Sequence, residues 1–280
     1  MVRKVLLIFI LSLFVSVSFA QKKEKIKGDR NVTSKETNIN SFNRIVVGEK
    51  FKIDLIEGSS ASVFVEADDN LHEVIDFSVT DSVLSFKTSK KITSSKKLNI
   101  KVVYTKTLKQ IETMDAGEIS SLTSLNLDEV VLINSGTSRA YLNIKTQKFK
   151  HINSEKAKVK LNLTAANTTL ELGENSKLEA LINSENIEVD MFQRSEAKIE
   201  GEVSILNINT DNSSSFIGSN LTSTSCQLIC ELDSDAAVQV TESLTIEASG
   251  SSQVYIYDNP KITINKFTDT AKLHKKELKK

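Results

Sequence analysis

The sequence predicts an all-β fold, a parallel β-helix (β-solenoid) with coils of about nineteen residues behind an irregular, β-rich N-terminal cap. The first observation is a repeat. Between Lys109 and Lys261 an apolar pattern returns every 19 residues, through Ile111, Val130, Phe149, Thr168, Ile187 and Leu206. A second column follows two positions on, through Thr113, Leu132, His151, Leu170, Val189 and Ile208. Repeats of about 20 residues mean stacked units, none able to bury its apolar face alone. The second observation is the spacing inside each round. Apolar residues fall at alternate positions, as in Ala140-Leu142-Ile144 and Val159-Leu161-Leu163, and period two means strands. Stacked about 4.8 Å apart, each strand pairs with its copies above and below. The third is the corner. Asp115-Ala116-Gly117, Asn134-Ser135-Gly136 and Ala248-Ser249-Gly250 occupy one place in their rounds, with Asn212 at the matching position of another. Gly and Asn tolerate the left-handed conformation of a sharp turn.

A small residue follows each corner: Ser138, Ala157, Ser176, Ser195 and Ser214. The next round runs one residue long, with Cys226 and Leu228 before Ser234, and the one after runs one short, with Leu244 and Ile246 before Ser252. Serine is small, and its hydroxyl can bond turn backbone. Read as an array of nucleophiles, the column lacks a His or acid recurring beside it.

Taken from the start, residues 1–20 form a secretory signal peptide: Arg3 and Lys4, an apolar run from Val5 to Val17, then Ser18-Phe19-Ala20 as a small-x-small cleavage site. The run is too short for a spanning helix. Gln21 is not a cysteine, so that cut offers no lipid attachment. An exported chain follows, in the periplasm or at the cell surface. Arg3 and Lys4 leave 34 of the 36 Lys and Arg against 36 Asp and Glu, a net of −2. That balance gives no long-range pull on nucleic acid or anionic lipid. One proline and no tryptophan suit a continuous ladder.

Residues 21–41 read as a polar mobile leader, the alternative being a basic docking arm. Residues 42–108 read as the cap and first irregular turns. Within them Ile45-Val47, Phe51-Ile53-Leu55 and Val63-Val65 alternate cleanly, and Asp68-Asp69-Asn70-Leu71 reads as a helix start with Leu71, Val74 and Ile75 on its apolar face. Lys90 to Lys97 reads as a solvated tip with four lysines. Such a cap closes an end that would otherwise offer an open strand. Residues 109–265 are the repetitive β-helix, ending in a short strand Ile262-Thr263-Ile264. Residues 266–280 read as a basic tail.

Phe42-x-x-Ile45-x-Val47, Phe51-x-Ile53-x-Leu55-x-x-Gly58 and Val63-x-Val65-Glu66-Ala67-Asp68-x-Asn70-Leu71 resemble the opening of a bacterial family, the auto-transporter adhesin head GIN domain. The Asn134-Ser135-Gly136-Thr137-Ser138 and Ala248-Ser249-Gly250-Ser251-Ser252 corners are similar to that family's serine-glycine corners. The resemblance spans roughly Phe42 to Asn259 and carries no catalytic motif. It implies a right-handed β-helix in exported proteins of Gram-negative bacteria. Glu155, Glu174 and Gln193 depart from it by replacing the corner glycine, so a change of corner shape is expected there.

No catalytic, metal or cofactor site emerges. His72, His151 and His274 fall in different segments, with His151 expected as a hydrogen-bonded core residue, and no spacing suggests zinc. The acidic runs Glu185-Asn186-Ile187-Glu188-Val189-Asp190 and Asp233-Ser234-Asp235 alternate like an outward face. Tyr255 and Tyr257 form the one local tyrosine pair. Cys226 and Cys230 would lie about 13 Å apart in an extended strand, beyond the ~7 Å reach of a disulfide, so buried free thiols are expected. The function read from this is an exported, non-catalytic binding module, its ligand a glycan, an envelope component or another protein. The alternatives are a carbohydrate-active β-helix enzyme, needing carboxylates and aromatics in one groove, and a structural envelope part.

Overall fold

The computed structural model describes residues 23–277. It is a β-solenoid of about nine turns. The signal-peptide reading, at residues 1–20, lies outside the described residues.

The middle of the molecule is built from long strands, one per turn: Arg139–Asn153, Lys158–Leu172, Lys177–Met191, Glu196–Thr210, Ser215–Cys230 and Asp235–Ala248. Each pairs in parallel with the next. Alternation drives the burial. In Arg139–Asn153, Ala140, Leu142, Ile144 and Thr146 are buried and their neighbours are exposed. Gln147 and Lys148 are then both exposed, and Phe149, His151 and Asn153 are buried in the opposite phase. The strand bends there without losing its ladder, so the expected pair of runs per round is joined by a corner inside one strand. A hydroxyl marks several of these bends. Thr146 donates to the Asp128 carbonyl (2.9 Å), and Ser184 lies 3.0 Å from the Asn186 carbonyl.

The long and short rounds occur as read. Phe216 pairs with Ala236 at a step of 20, and Cys226 with Leu244 at a step of 18. The first step differs. Ile111 pairs with Leu132 rather than Val130, and Thr113 with Asn134, a step of 21. Leu125 nevertheless pairs with Ile144 at a step of 19, so two additional residues are extruded between Ser121 and Leu125, where Leu122 is exposed. Two inward columns therefore begin Ile45–Ile111–Leu132–His151–Leu170–Val189–Ile208 and Val47–Thr113–Asn134–Asn153–Leu172.

The corner also differs from expectation. Its left-handed residue is Asp115 in one turn, not Gly117, and Gly136, Glu155, Glu174, Gln193, Asn212, Leu232 and Gly250 in those above. Glu155, Glu174 and Gln193 have φ of 58°, 60° and 55°. The corner thus keeps its shape at Glu155 and Glu174, because the ladders on both sides fix it against the cost of left-handed backbone. At Gln193 it changes as expected: Arg194 is left-handed too (φ 63°), and its N–H donates to the Asn212 carbonyl of the rung above.

At the N-terminal end, Arg44–Val47 and Lys52–Glu57 form the first turn, paired directly below Gln110–Thr113 and Glu118–Ser121. The chain between is an antiparallel insertion. Ile75–Thr80 and Val83–Thr88 make a hairpin, and Ser62–Asp68 pairs antiparallel with Leu98–Tyr104. The segment read as a mobile leader joins this cap. Val32–Asn38 pairs antiparallel with Ser62–Asp68, and Lys25–Lys27 pairs with Lys91–Ser94, which replaces the expected solvated tip. The fully buried Asp68 explains the recruitment. Its carboxylate accepts from the backbone N–H groups of Arg30 (3.1 Å), Lys96 and Lys97 (3.0 Å each). A Cβ at Gly28 would meet Asp68 Oδ2 at 2.0 Å, so the leader's backbone passes where no side chain fits. The expected helix is one 3₁₀ turn, Asp69–Leu71, although Leu71, Val74 and Ile75 are buried as read.

At the other end the strand read at Ile262–Ile264 extends over Lys261–Phe267. The residues read as a tail add another strand, Lys272–Lys275, paired with Gln253–Tyr257.

Candidate functional site

A groove of about 980 Å³ lies where the cap overhangs the row of left-handed corners. Phe51, Thr88, Ile92 and Leu98 line it from the first turn and cap, and Ala116, Gly136, Thr137 and Asn175 from the corners. Charged groups of both signs stand around it: Lys23, Lys91 and Lys156 with Glu49, Glu155 and Glu174. One latch closes its lower end. Glu49 receives hydrogen bonds from Lys23 Nζ and Thr88 Oγ1, each 2.6 Å, and its backbone N–H donates to Asp115 Oδ2 at 3.1 Å. Burial alone would raise the Glu49 pKa, but the bonds from Lys23 and Thr88 outweigh it and hold the carboxylate below its ordinary value. The site thus has an apolar lining and a rim of both signs of charge, the usual chemistry of a ligand cleft.

Sequence reasoning missed this groove because its walls come from segments far apart in the chain. The residues singled out from sequence lie elsewhere. Ser138, Ser176, Ser214 and Ser234 are buried, and each hydroxyl reaches a carbonyl of the turn below: Thr113 O (3.3 Å), Asn153 O (3.1 Å), Met191 O (3.3 Å) and Thr210 O (3.0 Å). These four serines are thus rung-to-rung ties, whereas the buried hydroxyls of Ser195 and Ser252 in the same column have no partner among the described residues. His151 is fully buried, with Nε2 3.0 Å from Asn134 Oδ1. Asn134 Nδ2 donates to Thr113 Oγ1 (2.6 Å), which donates to Ser138 Oγ (2.7 Å). This orientation of Asn134 makes Nε2 the protonated nitrogen, and Nδ1 is left without a partner. Burial pushes the His151 pKa down to about 3, so the ring is neutral.

His72 contacts the Thr33 carbonyl (3.3 Å), and His274 stacks on Tyr255 at 4.8 Å between ring centres. Tyr255 and Tyr257 lie on outward positions of the strand Gln253–Tyr257. Glu185 and Glu188 are exposed, as read for an outward face. Asp235 is raised from its ordinary pKa by burial and by Asp233. Cys226 and Cys230 are free and buried, burial pushing the Cys226 thiol up to about 12. Among the described residues no group of three or more His, Cys, Asp or Glu is placed to hold a metal ion. No helix there is long and apolar enough to cross a membrane.

The fold defines the class of protein, a parallel β-solenoid carrying an antiparallel cap on one end. The chain belongs to the family described as "Putative auto-transporter adhesin, head GIN domain", whose profile matches residues 41–182 and 152–260. Among solved structures it is similar to a putative lipid binding protein from Parabacteroides distasonis, at 16% identity and a TM-score of 0.60, covering 91% of this chain and 100% of that one. A putative adhesin from the same organism gives 20% identity, a TM-score of 0.56 and the same coverage, 91% and 100%. A putative adhesin from Parabacteroides merdae gives 17%, 0.54, and again 91% and 100%. At these identities the likeness is one of fold. No curated protein matches the chain.

Proposed function

We propose that this chain is an exported, non-catalytic β-helix that acts as a binding module in the cell envelope or at the cell surface, and that the groove beneath the cap holds its ligand. The groove is the observation that carries the reading. It is wide and apolar inside, it is rimmed by both signs of charge, and its two walls, the cap and the row of corners, are tied together at Glu49. Membership of an adhesin-like family supports a binding role. The ligand class that suits such a rim is a glycan or an envelope protein, either of which presents polar groups around an apolar face.

The test is a glycan array and a pull-down from envelope fractions with the exported chain. Variants Thr137→Arg and Ile92→Arg, which fill the groove, serve as controls. The expected result is a ligand captured by the parent and lost from both variants. Capture from no fraction, or equal capture by the variants, overturns the reading. Release of reducing ends from acidic polysaccharides would instead favour a carbohydrate-active enzyme.

A further inference from the structure

The two ends of the ladder are finished differently. The last strands, Lys261–Phe267 and Lys272–Lys275, pair on one face only, with Asp235–Ala248 and Gln253–Tyr257. Their inward positions continue the apolar columns. Ile262 stands on Leu244, Ile264 on Ile246 and Leu273 on Val254. The lower members are no more than 1% exposed, whereas Ile262, Ile264 and Leu273 are 42%, 49% and 36% exposed. Among the described residues nothing lies above this apolar column, and beside its row of unpaired backbone groups it is a template for one more strand.

The chemistry of that strand can be read from the rungs beneath. Along the solenoid, several outward lysines meet carboxylates directly opposite on the next rung, although Arg139, Lys158 and Lys177 stack on one another. Lys52 faces Glu118 (3.4 Å), Lys160 faces Glu179 (2.9 Å) and Lys177 faces Glu196 (2.6 Å). On the terminal rungs Lys261 and Lys272 are exposed and have no ion-pair partner among the described residues. Continuing the pattern places acids opposite these lysines and apolar residues opposite Ile262, Ile264 and Leu273. A second copy docking by the same end would present another edge carrying Lys261 and Lys272, and the other end of the solenoid is covered by the cap.

We infer that the open end is a second binding surface, distinct from the groove, which takes an extended, acidic–apolar alternating segment of a partner protein as an added β-strand. Main-chain hydrogen bonds supply the pairing, the column supplies the apolar contact, and Lys261 and Lys272 select the charge.

The probes are a labelled, end-capped octapeptide alternating Glu with Val, its Lys–Val counterpart, and a Glu–Val peptide N-methylated at alternate residues in both phases. Fluorescence anisotropy against the exported chain should show saturable binding of the Glu–Val peptide, at least tenfold tighter than the Lys–Val peptide. N-methylation in one phase should abolish it. Lys261→Glu with Lys272→Glu should reverse the charge preference, and Ile92→Arg in the groove should leave it unchanged. Equal binding of both peptides, binding indifferent to N-methylation in either phase, or binding to anionic phosphatidylglycerol vesicles without binding to peptide would overturn the inference. The N-methyl comparison uses the parent protein and so stands even if a variant misfolds.

Discussion

The capped and open ends of this solenoid run the same inward columns and give their residues opposite fates. Below the first turn, Leu84 lies under Ile45 and is fully buried within the hairpin that closes that end. Above the last turn, Ile264 continues the same column and is half exposed. In a stacked fold, burial is therefore a property of the next rung more than of the residue. A side chain contributes its full apolar stabilisation only when both neighbours are present.

The sharpest way to break the comparison is to truncate one column at two heights. Ile246→Ala should cost about 2–5 kcal/mol in urea unfolding, the range for a buried aliphatic. Ile264→Ala, one rung higher, should cost about 1 kcal/mol or less. Equal losses would mean that something covers the open end in the isolated chain.

A second test moves to a rung between the ends. The His151 pKa is lowered in the fold to about 3, so the unfolded chain binds the additional proton between about pH 6.5 and 3. Its share of stability is complete above pH 6.5 and falls by about 1.4 kcal/mol per unit as pH drops toward 3. Acid titration of stability in His151→Leu should lose that slope. An unchanged slope would mean the ring is reachable by water.

A third sharpens the corner. Gly136 and Glu155 hold the same left-handed position on consecutive rungs, but a Cβ at Gly136 would lie 2.6 Å from the Asp115 carbonyl oxygen. Gly136→Ala should destabilise by about 1–3 kcal/mol. Glu155→Gly, relieving left-handed strain, should shift stability by no more than about 1 kcal/mol. Similar penalties at both would show that the corners are not equivalent.

A fourth contrasts the ends by acid. Burial would raise the Asp68 pKa, but the N–H groups of Lys96, Lys97 and Arg30 outweigh it and hold the carboxylate below its ordinary value. Its hold on the cap is therefore full above the ordinary carboxylate range and is lost as pH falls through the lowered value. Asp68→Asn should speed hydrogen exchange at the Lys96, Lys97 and Arg30 amides and leave Lys261–Phe267 unchanged. Exchange that quickens at both ends would mean the cap and solenoid open together.

The smallest effect is chemical. Native protein should leave both thiols unreacted at neutral pH, since burial pushes Cys226 up to about 12 and also raises Cys230. Denatured, unreduced protein should take up two equivalents of a thiol reagent. Finding none would require a disulfide between Cys226 and Cys230.

The repeat, the inward and outward faces, the buried His151 and the free thiols were all legible in the sequence. Alternation is written into each strand locally, and a strand shows which face it buries whatever lies above it. The first step of 21 residues was not legible, because two residues extruded after Ser121 leave the local pattern intact while shifting which residues meet across the ladder. Nor was the cap's use of Lys25–Lys27 and Val32–Asn38, whose polar sequence reads as mobile until Asp68 and the edge of Ser62–Asp68 give its backbone groups partners. The groove belongs to the same category. It exists only where the cap, folded from antiparallel pairs, overhangs corners whose spacing the parallel ladder sets, and contacts between such distant segments leave no period in the chain.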